Sequence, residues 1–249
     1  MAKRKMVYCL PVAALALGAG VLMSTGVHAT TGSDMYGCDD EKMDDVQVSC
    51  MATSLDSLKA GLALPNIENI YTLSSIDVKS DATLDLSGKT IKTFSNTNGY
   101  DMFEITDGAS LTISGNGTVV KEGVAGNIFV VKGESSTLQL NGGTYNTNAA
   151  GRAVYGAYLL EGGTIIINNG ATIDTTGSAG AAISGNNTTG DAHITVNGGA
   201  LKSRYPSVYM AGQVDLTMNG GSLEGGIFAR MGQIEINGGT ITGIKEADD

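Results

Sequence analysis

Tryptophan is absent from this chain of 249 residues, and there are only 3 Pro, 3 Cys and 2 His. Each shortage excludes something. Without Trp, any stacking on a flat ligand falls to the 9 Tyr and 4 Phe. With so few Cys and His, no Cys–His cluster of the kind that holds zinc can form, and neither a metal nor a cofactor is expected. Basic residues are also scarce, 15 Lys+Arg against 25 Asp+Glu. A surface that acidic repels phosphate backbones and anionic lipids, so nucleic acid and direct membrane binding are excluded as partners.

The one long apolar run sits at the start. Lys3, Arg4 and Lys5 precede an almost wholly apolar stretch from Val7 to Met23, and "VHA" ends at Ala29 with small residues at both recognition positions. That is the layout of a secretory signal peptide over 1–29. Its removal leaves 12 Lys+Arg and 25 Asp+Glu, a net charge of 12 − 25 = −13. It also takes Cys9 and leaves Cys38 and Cys50, a pair expected to form a disulfide in an acidic segment over 30–52 of an exported protein.

What is abundant is Gly, 36 residues of it, and it recurs within one phrase. "TLQLNGGTYNT" at 137–147 returns as "HITVNGGALKS" at 193–203, "DLTMNGGSLEG" at 215–225 and "QIEINGGTITG" at 233–243. Aligned on their first apolar residue, seven copies begin at Leu84, Leu111, Leu138, Ile165, Ile194, Leu216 and Ile234. The separations are 27, 27, 27, 29, 22 and 18. A second apolar residue follows two positions later, and six of the seven residues between are polar, which is the period-2 signature of a strand with one buried face. Short β-type runs such as "DMFEI", "NIFVV", "SVYM" and "GIFA" lie between the phrases.

Asn-Gly between alternating strands is also a hairpin signal. A near-constant period with one Asn in each copy instead predicts an all-β solenoid, a right-handed parallel β-helix of about seven coils over 66–249. Strict six-residue units, which mark left-handed β-helices, are missing, as is the "GGxGxDx" calcium-roll signature. On this reading Asn141, Asn168, Asn197, Asn219 and Asn237 take the left-handed conformation at a corner. Their amides form a ladder at the strand spacing of ~4.8 Å. "TSLDSLKAGLALP", 53–65, reads as a capping helix started by Thr53 or Ser54 and stopped by Pro65, with Leu55, Leu58, Leu62 and Leu64 laid over the first coil. No second lid is legible at the other end, where terminal charges or self-association at the C-terminal coil would protect the edge.

"LDSLKAGLALPNIENIYTLSSIDV", "ATLDLSGKTI" and "FEITDGASLTISGNGTVV" resemble the right-handed β-helix modules of bacterial adhesin-like surface proteins. The likeness spans about 54–244. It implies a fold shared with pectate lyases, a place outside the cell or on its surface, and binding of glycans or surface proteins. No sorting signal, apolar tail or lipobox around Cys9 is legible, so the mode of attachment stays open.

Catalysis on this fold requires converging carboxylates. The "NTD", "DD" and "RIK" motifs of the similar polygalacturonases are missing from the coils. Asp39–Asp40, Asp44–Asp45 and Asp248–Asp249 lie towards the ends and read as solvated charge. His193 and Asp215 each precede an anchor in consecutive coils, with Glu235 two positions from the same row; they are weak general-base candidates in a row otherwise made of Thr83, Ser110, Thr137, Thr164 and Gln233. The binding candidates are Tyr155, Tyr158, Tyr205 and Tyr209, alongside Arg152, Arg204 and Arg230. Three functions follow as expectations: a non-catalytic binding module, a polysaccharide lyase or hydrolase, and a structural spacer.

Overall fold

The computed structural model describes residues 36–40, 48–94, 99–123, 125–185 and 192–243. The leader expected over 1–29, and the pairs Asp44–Asp45 and Asp248–Asp249, lie outside them. Every strand pairing is parallel, which sets aside the hairpin alternative, and strands stack into three columns. The first column runs Ser49–Ala52, Asn69–Thr72, Thr90–Thr93, Thr118–Glu122, Thr144–Ala149, Thr172–Ser178, Ala200–Lys202, Ser222–Gly225 and Thr240–Gly243. The second begins Ile76–Val78, Phe103–Ile105, Phe129–Lys132, Ala157–Leu160 and Ile183–Gly185. The third begins Ala82–Asp85, Ser110–Ser114, Thr137–Leu140, Gly163–Ile167 and Ala192–Val196. The protein is an all-β parallel β-solenoid with one helix.

Five coils carry three separate strands each, where about seven coils were expected. After them the second and third columns fuse, because the corner between them shortens. Val208–Met218 serves both, with a register shift between Met210 and Gln213, and Ile227–Ile236 pairs along it. This fusion accounts for the shorter separations of the last copies.

The anchors stack as Leu111, Leu138, Ile165, Ile194, Leu216 and Ile234. The first copy departs from the alignment: Ala82 pairs with Leu111, and Leu84 with Ile113. Alternation has period 2, so a slip of two residues keeps every apolar side chain inside and leaves no trace in the pattern. Thr83 accordingly sits beside Thr112 rather than in the Ser110 row.

The interior is built of uninterrupted rows. One runs Cys50, Ile70, Ile91, Val119, Tyr145, Ile173, Leu201, Leu223 and Ile241. Phe103 stacks on Phe129 with centroids 5.3 Å apart, and Phe129 meets Tyr145 edge-on at 5.4 Å. The buried Tyr145 hydroxyl donates to the Gly142 carbonyl at 2.7 Å, and burial pushes its phenol pKa upward.

At the N-terminal end the helix spans Leu55–Ala63. Ser54 is its cap: its hydroxyl accepts from the Ser57 N–H at 3.1 Å, while the Ser57 hydroxyl accepts from the Ser54 N–H at 3.0 Å. Leu58 and Leu62 are buried, and Leu55 and Leu64 pack at the edge of the core. Cys38 and Cys50 form a disulfide that packs on the helix at Gly61. A Cβ on Gly61 would lie 2.8 Å from the Cys38 sulfur, so only glycine lets the helix sit this close. The helix C-terminus is held from the first coil: Lys89 Nζ donates to the carbonyls of Leu64 at 2.6 Å and Ile67 at 2.7 Å.

The interior also holds polar residues such as Thr72, Thr93, Thr147 and Thr175, and one of its inward positions is a lysine. Lys121 is fully buried, between the row neighbours Thr93 and Thr147, and its Nζ has no hydrogen-bond partner. Its ammonium lies 4.5 Å from the centre of the Tyr100 ring. Burial lowers its pKa to about 8, against an opposing pull from Asp101.

Two outcomes follow. Lys89→Met removes both carbonyl contacts and lowers stability by about 1–3 kcal/mol, measured by urea unfolding. Lys121 is depressed in the folded state, so between its folded and unfolded pKa values the unfolded chain binds more protons and stability climbs with pH. Its cost is fully present below pH ~8 and fades above it, by about 1–3 kcal/mol at most. Lys121→Met removes that slope between pH ~8 and ~9.5, before tyrosines ionise, and raises stability at pH ~7.

Candidate functional site

Because equivalent residues stack once per coil, outward side chains form rows, and any site on this protein is a set of neighbouring rows. Five residues carry the amide ladder. Asn168 donates to Asn141 Oδ1 at 2.6 Å, Asn197 to Asn168 at 2.9 Å, Asn219 to Asn197 at 2.9 Å, and Asn237 to Asn219 at 3.0 Å. Gln139 adds a lateral donor to Asn141 at 2.9 Å. The backbone differs from the expectation. Among the described residues, the positive-φ positions other than glycine are Ser87, Asp107 and Glu161, and no ladder Asn is one of them. The left-handed turn is carried two residues later, by Gly143, Gly170, Gly199, Gly221 and Gly239. Glycine bears that conformation at less cost than Asn, which leaves the Asn outside the left-handed region with its amide bonded along the stack.

His193 and Asp215 are register partners in the row Ser110, Thr137, Thr164, His193, Asp215 and Gln233. His193 Nδ1 stands 4.0 Å from Asp215 Oδ2, and both side chains are 47% exposed. Asp215 also accepts from the Gln233 N–H at 3.2 Å. Glu235 belongs to the next row, opposite Thr217. The arrangement is an open ion pair with no third group to orient the imidazole. At this exposure water screens such a contact heavily.

The four tyrosines divide into two places. Tyr155 and Tyr158 sit together, with ring centres 5.7 Å apart and both rings half-buried. Tyr158 and Tyr209 occupy one outward row, but Ser184 lies between them. Tyr209 instead stacks on Phe228 of the next coil, with centroids 5.3 Å apart and ring planes 14° from parallel. Phe228 is 48% exposed and Tyr205 49%. Arg204 and Arg230 are exposed in the same two coils, while exposed Arg152 lies nearer the Tyr155 pair. None of the three arginines joins an ion pair among the described residues. Phe228 is the member that sequence reasoning missed. Its signal was the alignment of "GIFA" on "SVYM", which places Phe228 one rung beyond Tyr209.

A second feature lay in plain view. Asp107, Glu134 and Glu161 recur at intervals of 27 and line a shallow groove of about 750 Å³ with Lys79, Lys132 and Ser135. Lys132 and Glu161 are 3.9 Å apart, and Lys79 pairs with Asp77 at 2.9 Å. Of the three acids, Glu161 meets a lysine among the described residues. Among the described residues, no group of three or more His, Cys, Asp or Glu is placed to hold a metal ion, and no helix is long and apolar enough to cross a membrane.

No protein-family model matches the chain, and no curated protein or solved structure matches it. The class is therefore defined by the fold alone: a parallel β-solenoid whose outer surface consists of residue rows.

The ladder's role is tested at an inner rung. Asn197→Ala removes one donated and one accepted amide bond and lowers stability by about 1–2 kcal/mol in thermal or urea unfolding. Ligand selectivity stays unchanged, because the ladder row is separate from the aromatic row.

Proposed function

We propose that this protein is an exported, non-catalytic β-solenoid that binds glycans or surface proteins through its C-terminal coils. The observation that carries the reading is the stacked Tyr209–Phe228 pair, with exposed Tyr205, Arg204 and Arg230 in the same coils, the two arginines outside any ion pair among the described residues. A half-exposed ring on a rigid sheet gives a sugar or a partner side chain a flat apolar contact at small entropic cost. Arginine next to aromatics supplies fixed donors for hydroxyl or carboxylate groups. The Cys38–Cys50 disulfide fits an oxidising compartment, and the resemblance to adhesin-like modules supports a place outside the cell or on its surface.

A second reading, a polysaccharide lyase or hydrolase, has the His193–Asp215 contact in its favour. It requires a general acid–base pair that transfers protons to a bound sugar. The spacer reading requires no ligand.

The test pairs a glycan array with a reducing-sugar release assay on the same preparation. Binding without release supports the proposal, and Tyr205→Ala with Phe228→Ala then weakens the bound glycan at least about tenfold while leaving the unfolding midpoint nearly unchanged. Sugar release that is lost in His193→Ala and Asp215→Ala establishes the enzyme instead. Neither binding nor release leaves the glycan reading without support and directs the search to protein partners.

A further inference from the structure

Among the described residues, all the large hydrophobic side chains that stand exposed belong to the last two coils: Tyr205, Tyr209, Phe228, Met231, Ile234, Ile236 and Ile241. Three of these are interior residues by position. Ile234 and Ile236 continue the rows of Leu216 and Met218, and Ile241 continues the row of Leu223. Those predecessors are at most 1% exposed, whereas the three isoleucines are 48%, 47% and 40% exposed. Among the described residues the core is therefore cut open at this end, and a contiguous exposed apolar patch is a common mark of an interaction site. Among the described residues, Ile227–Ile236 and Thr240–Gly243 also form its free edge, since each is paired on one side only.

We infer that this end is covered by a second copy of the same chain, joined C-terminal coil to C-terminal coil across a two-fold axis. What points to a second copy is the geometry of the two ends. The opening has the cross-section of one coil, and an identical coil has the same width and the same apolar rows. The opposite end of the molecule cannot fill it, because the helix, the disulfide and Lys89 close that end. Head-to-tail stacking is thus blocked, and a two-fold contact remains, which closes at two copies instead of growing into a fibre. To lay one open interior over the other, the axis must reverse strand direction, so the junction is antiparallel in an otherwise parallel sheet. The last coil suits such a contact, because Arg230 and Glu235 are the charged residues on Ile227–Ile236 and carry opposite signs.

The test is the mass of the purified protein by sedimentation equilibrium across the micromolar range, beside Ile234→Lys with Ile241→Lys. A dimer that the double variant converts to monomer, with the far-ultraviolet β signal retained, supports the inference. A monomeric wild type, an open-ended series of oligomers, or a dimer indifferent to the two lysines overturns it. If the variant fails to fold, hydrogen exchange on the wild type decides. Slow exchange at Ile234, Ile236 and Ile241 that becomes fast on dilution supports the contact. Fast exchange at all concentrations overturns it, as does protection that persists in a monomer, which means the chain covers its own edge.

Discussion

Everything in this molecule rests on parallel strands stacking in register at one residue per rung. Backbone hydrogen bonding sets a spacing of ~4.8 Å and repeats it for each coil. Side chains at equivalent positions are then forced into contact with their own kind. Inside, that makes continuous apolar rows such as Cys50 to Ile241, where each residue packs on the one above and below. At the corner it makes the asparagine ladder, in which the inner amides of Asn168, Asn197 and Asn219 both give and take a bond along the stack. The same spacing serves both, so a coil that slipped would lose its packing and its amide bonds together.

The constraint also explains where the chain departs from its own rules. A stack has two ends, and neither can be closed by repeating the unit. At the N-terminal end the closure is made of unrelated parts: a nine-residue helix, a disulfide that begins an interior row, and a lysine that crosses from the first coil to two free carbonyls. At the C-terminal end the interior rows stop at three half-exposed isoleucines. The two ends therefore differ: one is capped, and at the other, among the described residues, the interior rows are exposed.

Much of this was legible in the sequence, for a physical reason. Alternation and a period near 27 are direct consequences of strand geometry and coil circumference, so the anchors from Leu111 to Ile234 and the five ladder asparagines could be aligned by eye. The failures are equally physical. The first coil was placed two residues out of register, because a shift of two preserves the inside–outside pattern. The left-handed turn was assigned to Asn although the glycine two positions on carries it, since both residue types favour that region. Five coils rather than seven carry three separate strands, because a fused strand leaves the anchors intact while erasing a corner. Lys89 and Lys121 were invisible for a different reason: a lysine reads as solvated surface until the structure shows its ammonium on two carbonyls, or sealed beneath a tyrosine ring.

Row geometry also limits what function can be read from composition. The residues of a site on a solenoid are neighbours across coils, about one period apart in sequence, and their chemistry emerges only after alignment. His193 and Asp215 are 22 positions apart in the chain and register partners in space, yet the row holding them is exposed and otherwise Ser, Thr and Gln, which argues for solvation over catalysis. Tyr209 and Phe228 are 19 apart, and their rings stack in a region where the polar cover of the earlier coils gives out. Exposing apolar rings in water is unfavourable; before Tyr209 the same row holds Asp77, Glu104, a buried Val130, a half-buried Tyr158 and a buried Ser184, so two rings in succession first occur at Tyr209 and Phe228. The exposed rings of the last two coils are the feature on which the proposed binding role rests.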